Sequence, residues 1–304
     1  VPPGRRAVLE VLAAAGLFGT TGTTAALAPA TASVAALGAA RLVIGGAILL
    51  LVLPGVGGSR RTALGLGRSR WGLTGALMVA AYQLAFFAGV AAAGVALATL
   101  VTIGSGPLFV GLLSWPLLRE RPSGLWWATT IVCIVGLLFL AADGGERSGV
   151  DPDGLLLALG AGFAYALFTV SAKRLISGGA ASEDAMACLF GIGGLLMLPV
   201  LLASGVSWLA EAAGIAAAFW LGAATIAAAY ILFGRGLRRL PAGVAATLVL
   251  AEPLVATLLG VVLLGERLGW LGWLGAGLVA LGLVAQGWLA ARPGETALQD
   301  GAAL

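Results

Sequence analysis

This sequence predicts an all-α integral membrane fold: ten transmembrane helices arranged as two inverted five-helix repeats. Three observations predict it, namely the composition, the spacing of the apolar runs, and an internal duplication. Of 304 residues, 60% are hydrophobic and only 10% charged, with a mean hydropathy of +1.06. A soluble domain is nearer half apolar and a quarter charged, because it must cover its surface with polar groups. Most of this surface therefore meets lipid, and the bilayer is the first partner the sequence implies. There is no His, and the two cysteines, Cys133 and Cys188, sit far apart in apolar runs. Zinc sites built from His and Cys, a Ser-His-Asp triad and a CxxC redox pair are all excluded. No metal or cofactor is expected.

A helix needs about 20 apolar residues to cross roughly 30 Å of hydrocarbon. With Gly, Pro and charge clusters as breaks, ten segments meet this length, at 7–28, 34–53, 71–90, 95–118, 124–142, 154–175, 184–204, 215–234, 241–264 and 269–290. The first follows "GRR" and resembles a signal core, but it is too long for one and is matched by many later runs. The second ends at "PGVGGSRR", which opens a Gly- and Arg-rich connection from Pro54 to Arg70. Trp71 begins the third, and Gly94 separates it from the fourth, which closes on "LLRERPSG". The fifth opens on Trp126 and Trp127. "DPDG" precedes the sixth, which reaches Lys173 and Arg174, and "GGAASED" leads into the seventh. The eighth ends at Arg235, the ninth runs from Pro241 to "LGER", and the tenth stops before "RPGE". No segment is left over for a soluble domain.

Lys and Arg are retained on the cytoplasmic side. With the N-terminus inside, all of the 17 Lys and Arg residues except Arg41, Arg147 and Arg267 fall on inside segments. Both termini are thus expected to be cytoplasmic, in a multi-pass protein of the cell membrane. The basic residues read as membrane-edge anchors rather than a stripe that tracks phosphates, so no nucleic acid is expected. Trp71, Trp126, Trp127, Trp208, Trp270 and Trp288 fall near span ends, where indole rings favour the interface.

The halves repeat. "LLRERPSGLWW" (Leu117 to Trp127) aligns with "LLGERLGWLGW" (Leu263 to Trp273), and the same offset pairs Pro107 with Pro253. "GVALATL" (Gly94 to Leu100) aligns with "AGVAATL" (Ala242 to Leu248), and Tyr82 pairs with Tyr230. The expected domains are residues 1–147 and 148–304, the second with a short cytoplasmic tail. Five spans is an odd number, so the second copy enters the bilayer from the opposite side. Inverted repeats recur in secondary transporters, where two similar halves supply two similar conformations by exchanging shapes. With "AEP" inside the ninth span, the pattern resembles the drug/metabolite transporter superfamily, EamA group. That resemblance implies transport of a small polar metabolite such as an amino acid or derivative. It implies movement across the bacterial inner membrane by alternating access, in the efflux direction and without ATP. It implies no enzyme activity, and a monomer or homodimer. A facilitative channel and a membrane-embedded enzyme acting on a lipid-linked substrate stay open as alternatives.

Glu252 stands about 11 residues from either end of its span, or roughly 16 Å deep. A carboxylate at the helix centre costs about 3 kcal/mol, so it is expected to face a cavity or a partner. Pro253 beside it cannot donate to the Val249 carbonyl, which predicts a kink at a polar point of an inner wall; Pro107 is its counterpart. Glu252 is the candidate for binding a cationic group or taking up a proton, against the alternative of a carboxyl that only packs helices. Arg41, the other deep charge, can pair with it, attract a substrate carboxylate, or snorkel. Tyr82, Gln83 and Tyr165 carry the larger polar groups at mid-depth and complete the candidate set. Glu10 is only a turn inside the first span and is expected to reach the headgroups. The first half has Gly106 where the second has Glu252, so a symmetric scaffold carries asymmetric chemistry. The glycines of the first and tenth spans are expected to let helices approach closely.

Overall fold

The structure, a computed structural model, describes residues 3–143 and 151–291. Arg147, Arg292, the expected boundary at 147/148 and the C-terminal tail lie outside the described residues. Within them there is no strand, and ten helices are long and apolar enough to cross a membrane. They are α1 (Pro3–Ala26), α2 (Val34–Val52), α3 (Arg70–Ala93), α4 (Val95–Leu118), α5 (Gly124–Asp143), α6 (Pro152–Ser177), α7 (Ser182–Ala203), α8 (Ala212–Arg239), α9 (Ala242–Leu263) and α10 (Trp270–Ala290). Helices are required because hydrocarbon offers backbone N–H and C=O groups no partner. Leu51, Leu112, Leu195, Val262 and Val284 stand exposed on the outer surface, as a lipid-facing wall demands.

Local chemistry sets the ends. Ser33 and Ser69 cap α2 and α3 by accepting the N–H groups of Ala36 and Gly72, at 3.1 and 3.0 Å. Asp151 caps α6 ahead of Pro152. Gly94 alone joins α3 to α4, with φ +82° and ψ 162°, a conformation that needs the missing Cβ. The connection from Pro54 to Arg70 is not plain loop: a short helix, Arg60–Leu66, starts on Ser59, whose hydroxyl accepts from Thr62 N–H. Where α4 and α9 end, Arg119 (φ 62°) and Gly265 (φ 73°) adopt the same left-handed turn. Beyond them Glu120 N–H bonds Ser114 O at 3.2 Å, and Glu266 N–H bonds Gly260 O at 3.1 Å. All three pairs share the offset of the sequence repeat.

Packing obeys the same pseudo-twofold. α1 lies along α8 and α9 of the second half, and α6 along α3 and α4 of the first; each half lends its first helix to the other. α2 packs on α7, and α5 runs antiparallel to α10. At the α5–α10 seam, a Cβ on Gly136 would stand 2.7 Å from the Gly275 carbonyl, and one on Gly282 would stand 3.1 Å from the Thr129 carbonyl. These are the same contact made twice, once in each direction. Not every glycine works this way: Gly16, Gly22 and Gly277 meet nothing within 4 Å.

The end that carries most of the Arg residues is tied by ion pairs. Glu10 is buried rather than reaching outward, and joins Arg6 at 3.1 Å and Arg239 at 3.0 Å. Arg235 meets Glu183 at 2.7 Å, and Lys173 approaches Glu120 at 3.6 Å. Two of the tryptophans expected at the interface are core residues instead: Trp126 and Trp208 are 3% and 1% exposed. Trp126 wedges between Gly111 of α4 and Gly243 of α9, while Trp208 donates to the Gly205 carbonyl. Trp270 and Trp288 do face outward.

Because the α5–α10 seam has no room for a side chain, Gly136→Val should lower stability by about 1–3 kcal/mol through overpacking. Gly277→Ala, on the open face of α10, should leave it unchanged or slightly raised. Thermal unfolding of the two variants in detergent checks both.

Candidate functional site

Two irregularities gather in the second half at mid-depth. Pro253 lacks the N–H that would bond the Val249 carbonyl. That carbonyl is not left open; it accepts the Glu252 N–H at 2.8 Å, while Leu250 N–H bonds Thr247 O at 3.0 Å. Both bonds tighten the turn to i→i−3, so α9 breaks at Val249–Leu250 and restarts at Ala251. Glu252 therefore sits in the first turn of a new 13-residue segment, where the helix dipole favours negative charge. In α8, residues Ala223–Ala228 form a π-helical segment just before Tyr230. Gly222 and Gly45 make room for it, a Cβ on Gly222 lying 3.0 Å from Gly45 N. By contrast α4 runs unbroken through Pro107.

Glu252 opens onto a small cavity also lined by Tyr82, Thr102, Pro107, Tyr165 and Val249. It holds about 30 Å³ of space, room for a water molecule or two and not for a metabolite. The Glu252 carboxylate makes no hydrogen bond and no ion pair among the described residues. The ionisable groups within electrostatic range of it are Arg41, Tyr82, Tyr165 and Tyr230. Gly19 of α1 lets that helix rest on the Glu252 backbone, a Cβ there lying 2.9 Å from the carbonyl. The Tyr165 hydroxyl is buried and points toward Thr169, one turn along α6, without closing a hydrogen bond of good geometry. Thr102 donates to Ala158 O at 3.0 Å, tying α4 to α6 beneath the cavity.

The first half cannot mirror this carboxylate. At Gly106, the counterpart of Glu252, a Cβ would stand 3.0 Å from the Tyr165 ring. That ring belongs to a chain of aromatics: Tyr82 and Tyr165 lie 6.4 Å apart, Tyr165 and Phe168 5.1 Å, and Phe168 and Tyr230 6.1 Å. Phe18 and Phe190 close on Tyr230 at 4.9 and 3.7 Å.

Of the residues the sequence singled out, the structure brings Glu252, Tyr82, Tyr165 and Pro107 to one cavity. Pro253 shapes it from behind. Arg41 lies on α2 outside the lining, its Nε buried without an acceptor. Gln83 is buried against Gly38 of α2 and does not line the cavity. Tyr230, outside the candidate set, stands among these aromatics near the centre, and its pairing with Tyr82 in the repeat is the sequence signal for that position.

A ten-helix bundle of two interlocked inverted halves, with an acid in the middle of its ninth span, defines a polytopic membrane protein of the transporter class. The sequence pattern of the EamA-like transporter family matches residues 5–142 and again residues 153–286. The chain belongs to the EamA-like transporter family. It is 40% identical over 278 residues to "Uncharacterized transporter YwfM" of Bacillus subtilis, covering 91% of this chain and 92% of that protein. It is 33% identical over 168 residues to "Threonine/homoserine exporter RhtA" of Escherichia coli, a match over 54% of this chain and 53% of that one. A solved crystal structure superposes with a TM-score of 0.78 at 22% identity, covering 93% of this chain and 97% of the other, and bears on the fold alone.

Since the Tyr165 hydroxyl bonds no protein group well, Tyr165→Phe should leave the melting temperature unchanged or slightly higher. Thr102→Val, which breaks a buried interhelical bond, should lower stability by about 0.6–2 kcal/mol. Thermal unfolding side by side distinguishes the two.

Proposed function

We propose that this chain is a secondary transporter that moves a small polar metabolite, such as an amino acid or derivative, by alternating access. Net flux is outward across the bacterial inner membrane, and both termini face the cytoplasm. The single observation that carries this reading is an unpaired carboxylate midway through the bilayer, facing a water-sized cavity between the two halves. A charge held there costs free energy that packing alone does not require. Glu252 offers a pole for the ammonium group of the substrate, or for a proton carried in exchange. The Tyr82 and Tyr165 rings supply apolar walls with polar tips, and Arg41 lies within electrostatic range to favour a substrate carboxylate as the cavity enlarges. The threonine/homoserine exporter of Escherichia coli, to which part of this chain is similar, acts on this substrate class and supports the reading.

The architecture supports alternating access. α1 and α6 are each gripped by the opposite half, so a shift of one half against the other changes both ends of the bundle together. The ion pairs at the Arg-rich end join helices of both halves there. The broken turn of α9, directly before Glu252, and the π segment of α8, just before Tyr230, are where regular helix gives way most readily.

In proteoliposomes, Glu252→Gln should cut transport by tenfold or more, or erase its dependence on pH, with expression and melting temperature retained. Full activity with an unchanged pH profile removes Glu252 from the mechanism. For the orientation, a reporter fused after Arg61 should read as cytoplasmic and one after Arg147 as periplasmic. The reverse pattern overturns it.

A further inference from the structure

A second cavity, of about 60 Å³, opens at the Arg-rich end between the same two helices that enclose the central one. The central cavity touches α4 at Pro107 and α9 at Val249; this one touches α4 at Ser114 and α9 at Gly243. Seven residues along α4 separate them, about 10 Å of rise. Two of the residues that line this cavity, Trp126 and Ser114, 3% and 1% exposed, carry a buried indole N–H and a buried hydroxyl with no hydrogen-bond partner among the described residues. Groups so buried are normally satisfied, and an orphaned pair on one wall calls for a ligand. Trp126 is held in place from both sides, and its nitrogen would lie 3.3 Å from a Cβ on Gly243 at the cavity wall.

The rim carries a carboxylate. Glu120 accepts the Ala242 N–H at 2.7 Å, the first N–H of α9. Its other oxygen lies 3.6 Å from Lys173 Nζ, whose closer bonds go to the carbonyls of Leu240 at 2.7 Å and Leu237 at 2.9 Å. The contact is loose, and the carboxylate still faces the cavity. Arg121 at the mouth is turned onto the Trp115 ring, 5.2 Å from its centre, and brings no cation inward.

The repeat does not force this hollow. At the pseudo-symmetric position, Gly260 stands for Ser114 and Gly272 for Trp126. There the Glu266 carboxylate packs against Gly260, and Asp143 fills the space beside Gly269 and Gly272. One end of the bundle is filled, and the other is hollow and lined with donors.

We propose that this cavity is a second binding site, for a small primary amine that also carries a hydrogen-bond acceptor. Its ammonium group meets Glu120 at the rim, and its acceptor receives the Trp126 N–H and the Ser114 hydroxyl inside. Its place on the transport path rests on the central-cavity reading above; the binding itself does not, and the test reads binding without transport.

With Cys133 and Cys188 replaced by Ala, a Ser114→Cys variant in phosphatidylcholine nanodiscs is treated with two thiol reagents. These are cationic 2-aminoethyl and anionic 2-sulfonatoethyl methanethiosulfonate; in each the thiolate attacks the sulfenyl sulfur and methanesulfinate leaves. Relative to a free thiol in solution, the cationic reagent should react at least about tenfold faster, a preference that Glu120→Gln should remove. 2-Aminoethanol should slow the cationic reagent, and Trp126→Phe should abolish that protection. Equal rates without protection, or a thiol that reacts only after denaturation, overturn the proposal. So does protection by added phosphatidylethanolamine but not by 2-aminoethanol, which would make the site a lipid headgroup contact. Where Ser114→Cys is not recovered folded, the melting temperature of the unaltered protein is the readout. It should rise with 2-aminoethanol and stop responding in Trp126→Phe; no rise overturns the site.

Discussion

A carboxylate halfway through roughly 30 Å of hydrocarbon is the constraint around which this bundle is arranged. Lipid cannot solvate Glu252, so the helix that carries it must turn inward, and the helices opposite must leave space. α9 breaks at Val249–Leu250 directly before it, and α1 thins to Gly19 behind its carbonyl, while α8 carries a π segment just before Tyr230. Elsewhere regular helix dominates the spans, because every backbone group must find its partner within the protein. Irregular backbone is concentrated where protein or a small polar cavity can satisfy it.

The second organising feature is the exchange of first helices between halves. α1 belongs by sequence to the first half yet packs on α8 and α9, and α6 mirrors it on α3 and α4. Neither half is a separable bundle, and the α5–α10 seam is made by matched glycine contacts read in opposite directions. Symmetry of backbone is then broken by side chains in two places. Gly106 facing Tyr165 stands against Glu252 at the centre, and Ser114 with Trp126 stands against Gly260 with Gly272 at the ends. A scaffold with two equivalent faces thus acquires one acidic wall and one hollow end.

The sequence by itself determined the number and order of the spans, their basic and non-basic ends, the duplication, and Glu252 as an acid in the middle of a span. These are properties of composition and spacing: apolar length, charge placement and a repeated offset are local, one-dimensional quantities. Span ends moved by a few residues where capping decided them, as at Ser69 and Asp151, and Ser59 caps a short helix hidden in a Gly- and Arg-rich run. What only the tertiary structure decided is which side chains meet. Gln83 and Tyr82 are neighbours in sequence, but a helix turns about 100° between them, so one lines the cavity and the other packs on Gly38. Glu10 lies buried between Arg6 and Arg239 because α8 crosses α1, a pairing across more than 200 residues that no local pattern encodes. Trp126 follows a span end yet fills the core, because Gly111 and Gly243 stand on either side of it.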